Sequence, residues 1–172
     1  MNNDKVETQN EINSLVALFE NRHYEKGLEL SKNLIIKYPD SPDVLFLNGI
    51  INLALNNYLN SIDSFSKVIN FNKNNADAYN NKGAALYHLG NFNDSLEEFK
   101  HGLKLQPNNP IFLNNVGNSL NSLKKFDDAL WYYNESLKFY KNYNLPILNT
   151  IRLLTHFDTK EISNVYIDTN NK

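Results

Sequence analysis

Four histidines, His23, His88, His101 and His156, are the side chains best suited to acid–base or metal chemistry near neutral pH. No two stand four residues apart, the spacing that places two imidazoles on one helix face for zinc. There is no cysteine, which excludes thiol catalysis, a Cys-ligated metal and a disulfide framework. The adjacent acids Glu97-Glu98 and Asp127-Asp128 are the nearest thing to a carboxylate pair. A catalytic pair needs burial or a fixed like-charged neighbour to drive the two pKa values apart. These acids instead open helical stretches, where they complement the helix dipole and are expected to face solvent. Gly83, Gly90 and Gly102 do not have the spacing of a phosphate loop. The expectation is therefore no catalytic residue, no metal, no cofactor and no enzymatic activity.

The composition narrows the class further. The 172 residues carry 17 Lys+Arg against 19 Asp+Glu, a formal net charge of −2. A nucleic-acid binder needs a basic excess to displace counterions, and a membrane-surface helix needs a basic face, so neither is expected. No apolar run reaches the length of a membrane span. The polar start, Met1 to Asn13, has no apolar signal core, so a cytoplasmic protein is expected. Asparagine is abundant, 32 of 172 residues, although it is a poor helix former. With 41% of residues apolar and periodically placed, the chain is expected to fold rather than remain disordered.

The element that must position everything else is a repeat of 34 residues. Gly49, Gly83 and Gly117 recur at that spacing. So do the aromatics Tyr24, Tyr58, Phe92 and Phe126, and the aliphatics Leu28, Ile62, Leu96 and Leu130. Ile35, Ile69, Leu103 and Leu137 make another column, and Phe65, Phe99 and Tyr133 another. A four-of-four aromatic column arises by chance with a probability of roughly 2 in 10,000, and several columns coincide here. Within a repeat the apolar spacing is helical. Gly90-Asn91 divides the two helices of one repeat, and Pro39-Asp40-Ser41-Pro42 and Gln106-Pro107-Asn108-Asn109-Pro110 divide repeats.

These columns resemble the tetratricopeptide repeat, whose pattern has Gly at position 8, small residues at 20 and 27, an aromatic at 24 and Pro at 32. The unit starting at Ala76 matches with Tyr79, Gly83, Leu86, Ser95, Phe99, Gly102 and Pro107. The unit from Pro110 offers Leu113, Gly117, Leu120, Ala129, Tyr133 and Ser136, with Lys141 at the proline position. The unit from Pro42 offers Leu45, Gly49, Ser61, Phe65 and Val68 and departs at Asn52 and Lys73. The first unit, from about Thr8, keeps Leu18, Gly27 and Pro39 but has Leu15 for the glycine and Ser31 for the aromatic. The resemblance implies an all-α, right-handed α-solenoid of about four helix-turn-helix units over residues 8–143 (8–41, 42–75, 76–109 and 110–143). Residues 1–7 are expected to be a flexible segment, 144–158 a capping helix and 159–172 a tail. The small residues Gly83 and Ser95 are expected where two helices cross, because a larger side chain there would force the axes apart.

Function follows from the resemblance. In such arrays the first helices of successive units line a concave groove. Position by position, this groove would contain Ile12, Asn13, Val16, Phe19, Phe46, Ile50 and Leu53, then Asn80, Asn81, Ala84, Tyr87, His88, Asn114, Asn115 and Asn118. The same mapping places Glu20, Asp43 and Asp77 along it. The apolar half would hold apolar anchors of a helix or extended segment. The amide half would hydrogen-bond a peptide backbone, since each amide both donates and accepts. The column Asn13, Asn81 and Asn115 carries little weight by itself, because about 0.7 such columns are expected by chance in so Asn-rich a chain. A basic clamp for a C-terminal carboxylate is not expected, because its positions hold Ile12, Asp77 and Asn81. Trp131, Tyr132 and Tyr133, beside Phe139 and Tyr140, read first as core and inter-repeat packing, and second as an exposed aromatic patch.

The leading expectation is an adaptor or scaffold for a protein or peptide partner, with no nucleic acid, membrane or metal involved. The alternatives are the repeat portion of a bacterial glycosyltransferase or sulfotransferase lacking its catalytic domain, and a secretion chaperone built of such repeats. The partner, the pathway and the oligomeric state do not follow from the sequence.

Overall fold

The computed structural model describes residues 2–139 and residue 149, with side chains from residue 7 onward. Among these residues there are eight helices and no strand. They are α1 (Asn2–Glu20), α2 (Tyr24–Lys37), α3 (Pro42–Ala54), α4 (Tyr58–Phe71), α5 (Ala76–His88), α6 (Phe92–Leu105), α7 (Pro110–Ser122) and α8 (Phe126–Phe139). The first helix begins at Asn2, inside the segment 1–7 that the sequence suggests is flexible. The expected capping helix at 144–158 lies outside the described residues but for Asn149, and the tail at 159–172 wholly outside. The chain divides into two compact units, Met1–Leu105 and Gln106–Lys172.

Local signals start three of the first helices, α3, α5 and α7. Ser41 accepts a hydrogen bond from the Val44 amide, Asn75 from Ala78 and Asn109 from Ile111, and Pro42 and Pro110 take the first helical turn. Three of the abundant asparagines and serines thus have a structural task at helix starts. Each pair reverses through one residue of left-handed backbone: Arg22 (φ 59°), Asn56 (φ 60°), Gly90 (φ 80°) and Lys124 (φ 60°). Only at Gly90 does the residue type announce the turn, because only glycine enters that region without steric cost. At Arg22 and Lys124 the cost is of order 1–2 kcal/mol, and the surrounding helices must offset it.

The crossing of each pair rests on complementary volumes. A Cβ on Gly49 would meet the Phe65 ring at 2.8 Å. One on Gly83 would meet Phe99 at 2.8 Å, and one on Gly117 would meet Tyr133 at 2.5 Å. The glycine is therefore a slot for the aromatic ring of its own partner helix. Ser95 completes the α5–α6 crossing, its hydroxyl donating to the Gly83 carbonyl at 2.9 Å. In the α1–α2 pair the volumes are exchanged. Leu15 holds the glycine position and Ser31 the aromatic one, and both are fully buried.

In the first unit each helix packs on the next, and each first helix also lies beside the following one, α1 beside α3 and α3 beside α5. Leu15, Leu34, Val44 and Ile51 form one core cluster, and Leu45, Phe65, Val68 and Ala78 form the next. In the second unit α7 packs on α8. Its buried residues include Phe112, Leu113, Val116, Leu120, Ala129 and Tyr133.

Candidate functional site

The side-by-side α1, α3 and α5 build a candidate surface within the first unit. At matching positions they carry Ile12, Phe46 and Asn80; Val16, Ile50 and Ala84; and Phe19, Leu53 and Tyr87, all half-buried. This surface is apolar over α1 and α3, and α5 adds Asn80 and Tyr87 to it.

The expected groove residues are not equally free to receive a partner. Ile12 and Phe19 pack on the first core cluster, and Phe46 and Ile50 on the second. Phe46 also meets Phe65 edge-on, with centroids 5.4 Å apart, and Phe19 meets Tyr24 at 5.7 Å. Val16 and Leu53 are half-buried and belong to neither cluster, so they are the apolar side chains with the least structural duty here. Tyr87 leans edge-on against Phe92, and the exposed His88 ring stacks on Tyr58 with centroids 5.2 Å apart.

The amides are more committed than the sequence suggests. Asn13 accepts from Gln9, and Asn81 donates to the carbonyl of Asp77. Each is a bond within its own helix. In the second unit Asn114 is buried. Asn149 donates to Asn114 Oδ1 at 2.9 Å and to Asn118 Oδ1 at 3.1 Å, and Tyr133 also donates to Asn118 Oδ1 at 2.9 Å. The oxygens of these two amides thus have partners within the chain. Asn80 and Asn115, half-buried, complete the expected set. The sequence did contain a signal for Asn149: it continues the column of Asn81 and Asn115.

Sequence reasoning also missed a buried polar hub between α2, α3 and α4. Asn48 donates to Ser31 Oγ at 2.8 Å and accepts from Ser64 at 2.8 Å and from Asn52 at 2.9 Å. Asn52 and Ser31, both departures from the repeat pattern, share Asn48 as a hydrogen-bond partner, while Asn52 Oδ1 is buried without one. The equivalent place in the α5–α6 pair holds an ion pair instead, Lys82 to Glu98 at 2.8 Å. This corrects the expectation that Glu98 simply faces solvent. Asp127 and Asp128 are exposed. In the aromatic run, only Tyr133 is core. Trp131 is 56% exposed, with Tyr132 edge-on at 4.8 Å, and Phe139 is exposed. Tyr140 and His156 lie outside the described residues.

Among the described residues no three His, Cys, Asp or Glu side chains gather in a way that would hold a metal, and no helix is long and apolar enough to cross a membrane.

Comparisons with known proteins agree with this architecture. The family model for the tetratricopeptide repeat matches residues 76–109, the α5–α6 pair and its flanking turn. A structure described as MamA MSR-1 is 22% identical with a TM-score of 0.71, covering 77% of this chain and 76% of that one. A MamA RS-1 double mutant is 13% identical with a TM-score of 0.80, covering 96% and 97%. The Arabidopsis OM64 TPR domain is 18% identical with a TM-score of 0.65, covering 67% and 96%. No curated protein matches the chain in sequence. At these identities the likeness concerns the fold, which is that of a tetratricopeptide-repeat protein.

Proposed function

We propose that this tetratricopeptide-repeat chain is a protein-interaction scaffold that holds a segment of a partner along the inner face of α1, α3 and α5. Tetratricopeptide repeats are typically non-catalytic scaffolds. The observation that carries the reading is the pair Val16 and Leu53. Each is an apolar side chain left half-buried on adjoining helices and outside both core clusters, Val16 in the row with Ile50 and Leu53 in the row with Phe19 and Tyr87. Apolar anchors on neighbouring helices are what an amphipathic helix or extended segment needs.

Val16→Gln with Leu53→Gln tests it. These substitutions remove the apolar surface and spare the core clusters. Lysate proteins retained by the wild type would be identified and their binding remeasured by titration with both purified proteins. Loss of the titrated binding with an unchanged melting curve supports the reading; binding equal to wild type refutes it.

A further inference from the structure

The charges of the first unit are sorted by helix. The described side chains of α2, α4 and α6 include six acids (Glu25, Glu29, Asp63, Asp94, Glu97, Glu98) and six lysines (Lys26, Lys32, Lys37, Lys67, Lys100, Lys104). Those of α1, α3 and α5 include five acids, Glu7, Glu11, Glu20, Asp43 and Asp77, and one cation, Lys82. Pairs with the other row then remove charges from the count. Lys37 of α2 reaches back to Glu7 at 2.7 Å and to Glu11 at 3.1 Å, and Lys82 is spent on Glu98 of α6. Three carboxylates remain on the inner row, Glu20, Asp43 and Asp77. All three are exposed, with no ion pair among the described residues. Asp4 and Lys5 of α1 have their side chains outside the described residues, and Arg22 and Lys73 lie in connecting turns.

Resting on the scaffold reading above, we infer that the partner segment is cationic: an apolar stripe flanked by Lys or Arg, seated on α1, α3 and α5. The reason is complementarity. An acidic surface with an apolar floor attracts a basic amphipathic segment and repels an acidic one, because like charges brought together across an interface are costly. Asp43 and Asp77 stand in the first turns of α3 and α5, and Glu20 ends α1. The acids therefore lie toward both ends of the apolar rows, where charges flanking an apolar stripe would meet them.

The test uses two labelled amphipathic helical peptides with the same Leu/Ile face, one carrying Lys on its polar face and the other Glu. Binding to the full chain is measured by fluorescence anisotropy at low and high salt. The expected result is a preference for the Lys peptide of about tenfold or more at low salt, shrinking as salt is added. The triple variant Glu20→Gln, Asp43→Asn, Asp77→Asn alters only exposed side chains and should remove the preference. Equal binding of the two peptides, tighter binding of the Glu peptide, a preference that survives the triple variant, or no binding of either peptide overturns the proposal. Failure of the underlying reading has a different signature. The Lys preference would then be present and unaffected by Val16→Gln with Leu53→Gln, placing the basic peptide elsewhere on the chain.

Discussion

The crossing of α1 with α2 and the crossing of α5 with α6 solve one packing problem with opposite residues. In the second, Gly83 is the slot and Phe99 fills it. In the first, Leu15 is the bulk and Ser31 is small, and both are fully buried. Close packing fixes the volume available at a crossing, not which helix supplies it. A repeat can therefore keep its geometry while losing its signature. It can also exchange the chemistry around the crossing. Beside the Gly49 crossing the pair is Asn48 with Ser64; beside the Gly83 crossing it is Lys82 with Glu98.

The largest expected effect comes from filling a slot. Gly83→Leu puts not only a Cβ at 2.8 Å from the Phe99 ring but three further carbons into space the ring already occupies. Overpacking of a tight site costs about 1–3 kcal/mol or more, and here the helices must separate, so the variant should lose cooperative urea unfolding. Wild-type unfolding would show that the crossing tolerates bulk. Leu15→Ala comes next. It removes a fully buried bulky side chain from the α1–α2 pair and should cost about 2–5 kcal/mol by the same measurement. A cost below about 1 kcal/mol would mean that the first pair is not held by this exchange of volumes.

These two sites also show where the sequence is informative. Gly49, Gly83 and Gly117 face Phe65, Phe99 and Tyr133 just as their shared period suggests, because a tight crossing admits few residue types. Leu15 and Ser31 read as loss of pattern, because a single chain cannot show that two departures compensate each other. The left-handed turns were readable at Gly90 alone, since Arg22, Asn56 and Lys124 adopt the same backbone without an identifying side chain. The inner face was readable in direction but not in depth. Helical phase puts Phe46 and Val16 on comparable faces, yet Phe46 also packs on the core and Val16 does not. Depth depends on how neighbouring helices lean. The same limit hid the commitments of Asn114 and Asn118, whose partners Tyr133 and Asn149 come from elsewhere in the chain.

The two polar solutions can be compared directly. Asn48→Ala would leave Ser31 and Ser64 without one buried partner each and should cost about 1–3 kcal/mol in urea unfolding. Lys82 and Glu98 retain 21% and 17% side-chain exposure, so their pair is partly screened. Replacing both, Lys82→Met with Glu98→Leu, should change stability by less than about 1 kcal/mol, whereas Glu98→Leu alone should cost more than the double variant. A double variant worse than either single one would mean that the ion pair outperforms an apolar contact here, and the difference drawn between the two crossings would need revision.

The smallest effect lies at the surface of the first pair, where charge rather than volume ties α1 to α2. Glu11 is held below its ordinary pKa of 4.5, first by the hydrogen bond from Lys37 and then by the one from Tyr38, 2.9 Å from its Oε2. Lys37 also approaches the Tyr38 ring, 5.1 Å from its centroid. The sign follows from linkage: a carboxylate with a depressed folded pKa stabilises the fold above its unfolded value, and that contribution fades as pH falls from about 4.5 through the lowered value. Glu11→Gln should therefore lower the urea midpoint slightly at pH 7, and its gap from wild type should close as acid protonates Glu11 in the folded state. Because the group is at the surface, added salt should narrow the gap at pH 7 as well. A gap that persists in acid would assign the effect to packing of the Glu11 stem against Tyr38. Glu11 would then tie α1 to α2 by volume, as Leu15 does at their crossing, leaving Glu7 and Lys37 as the charge contact between them.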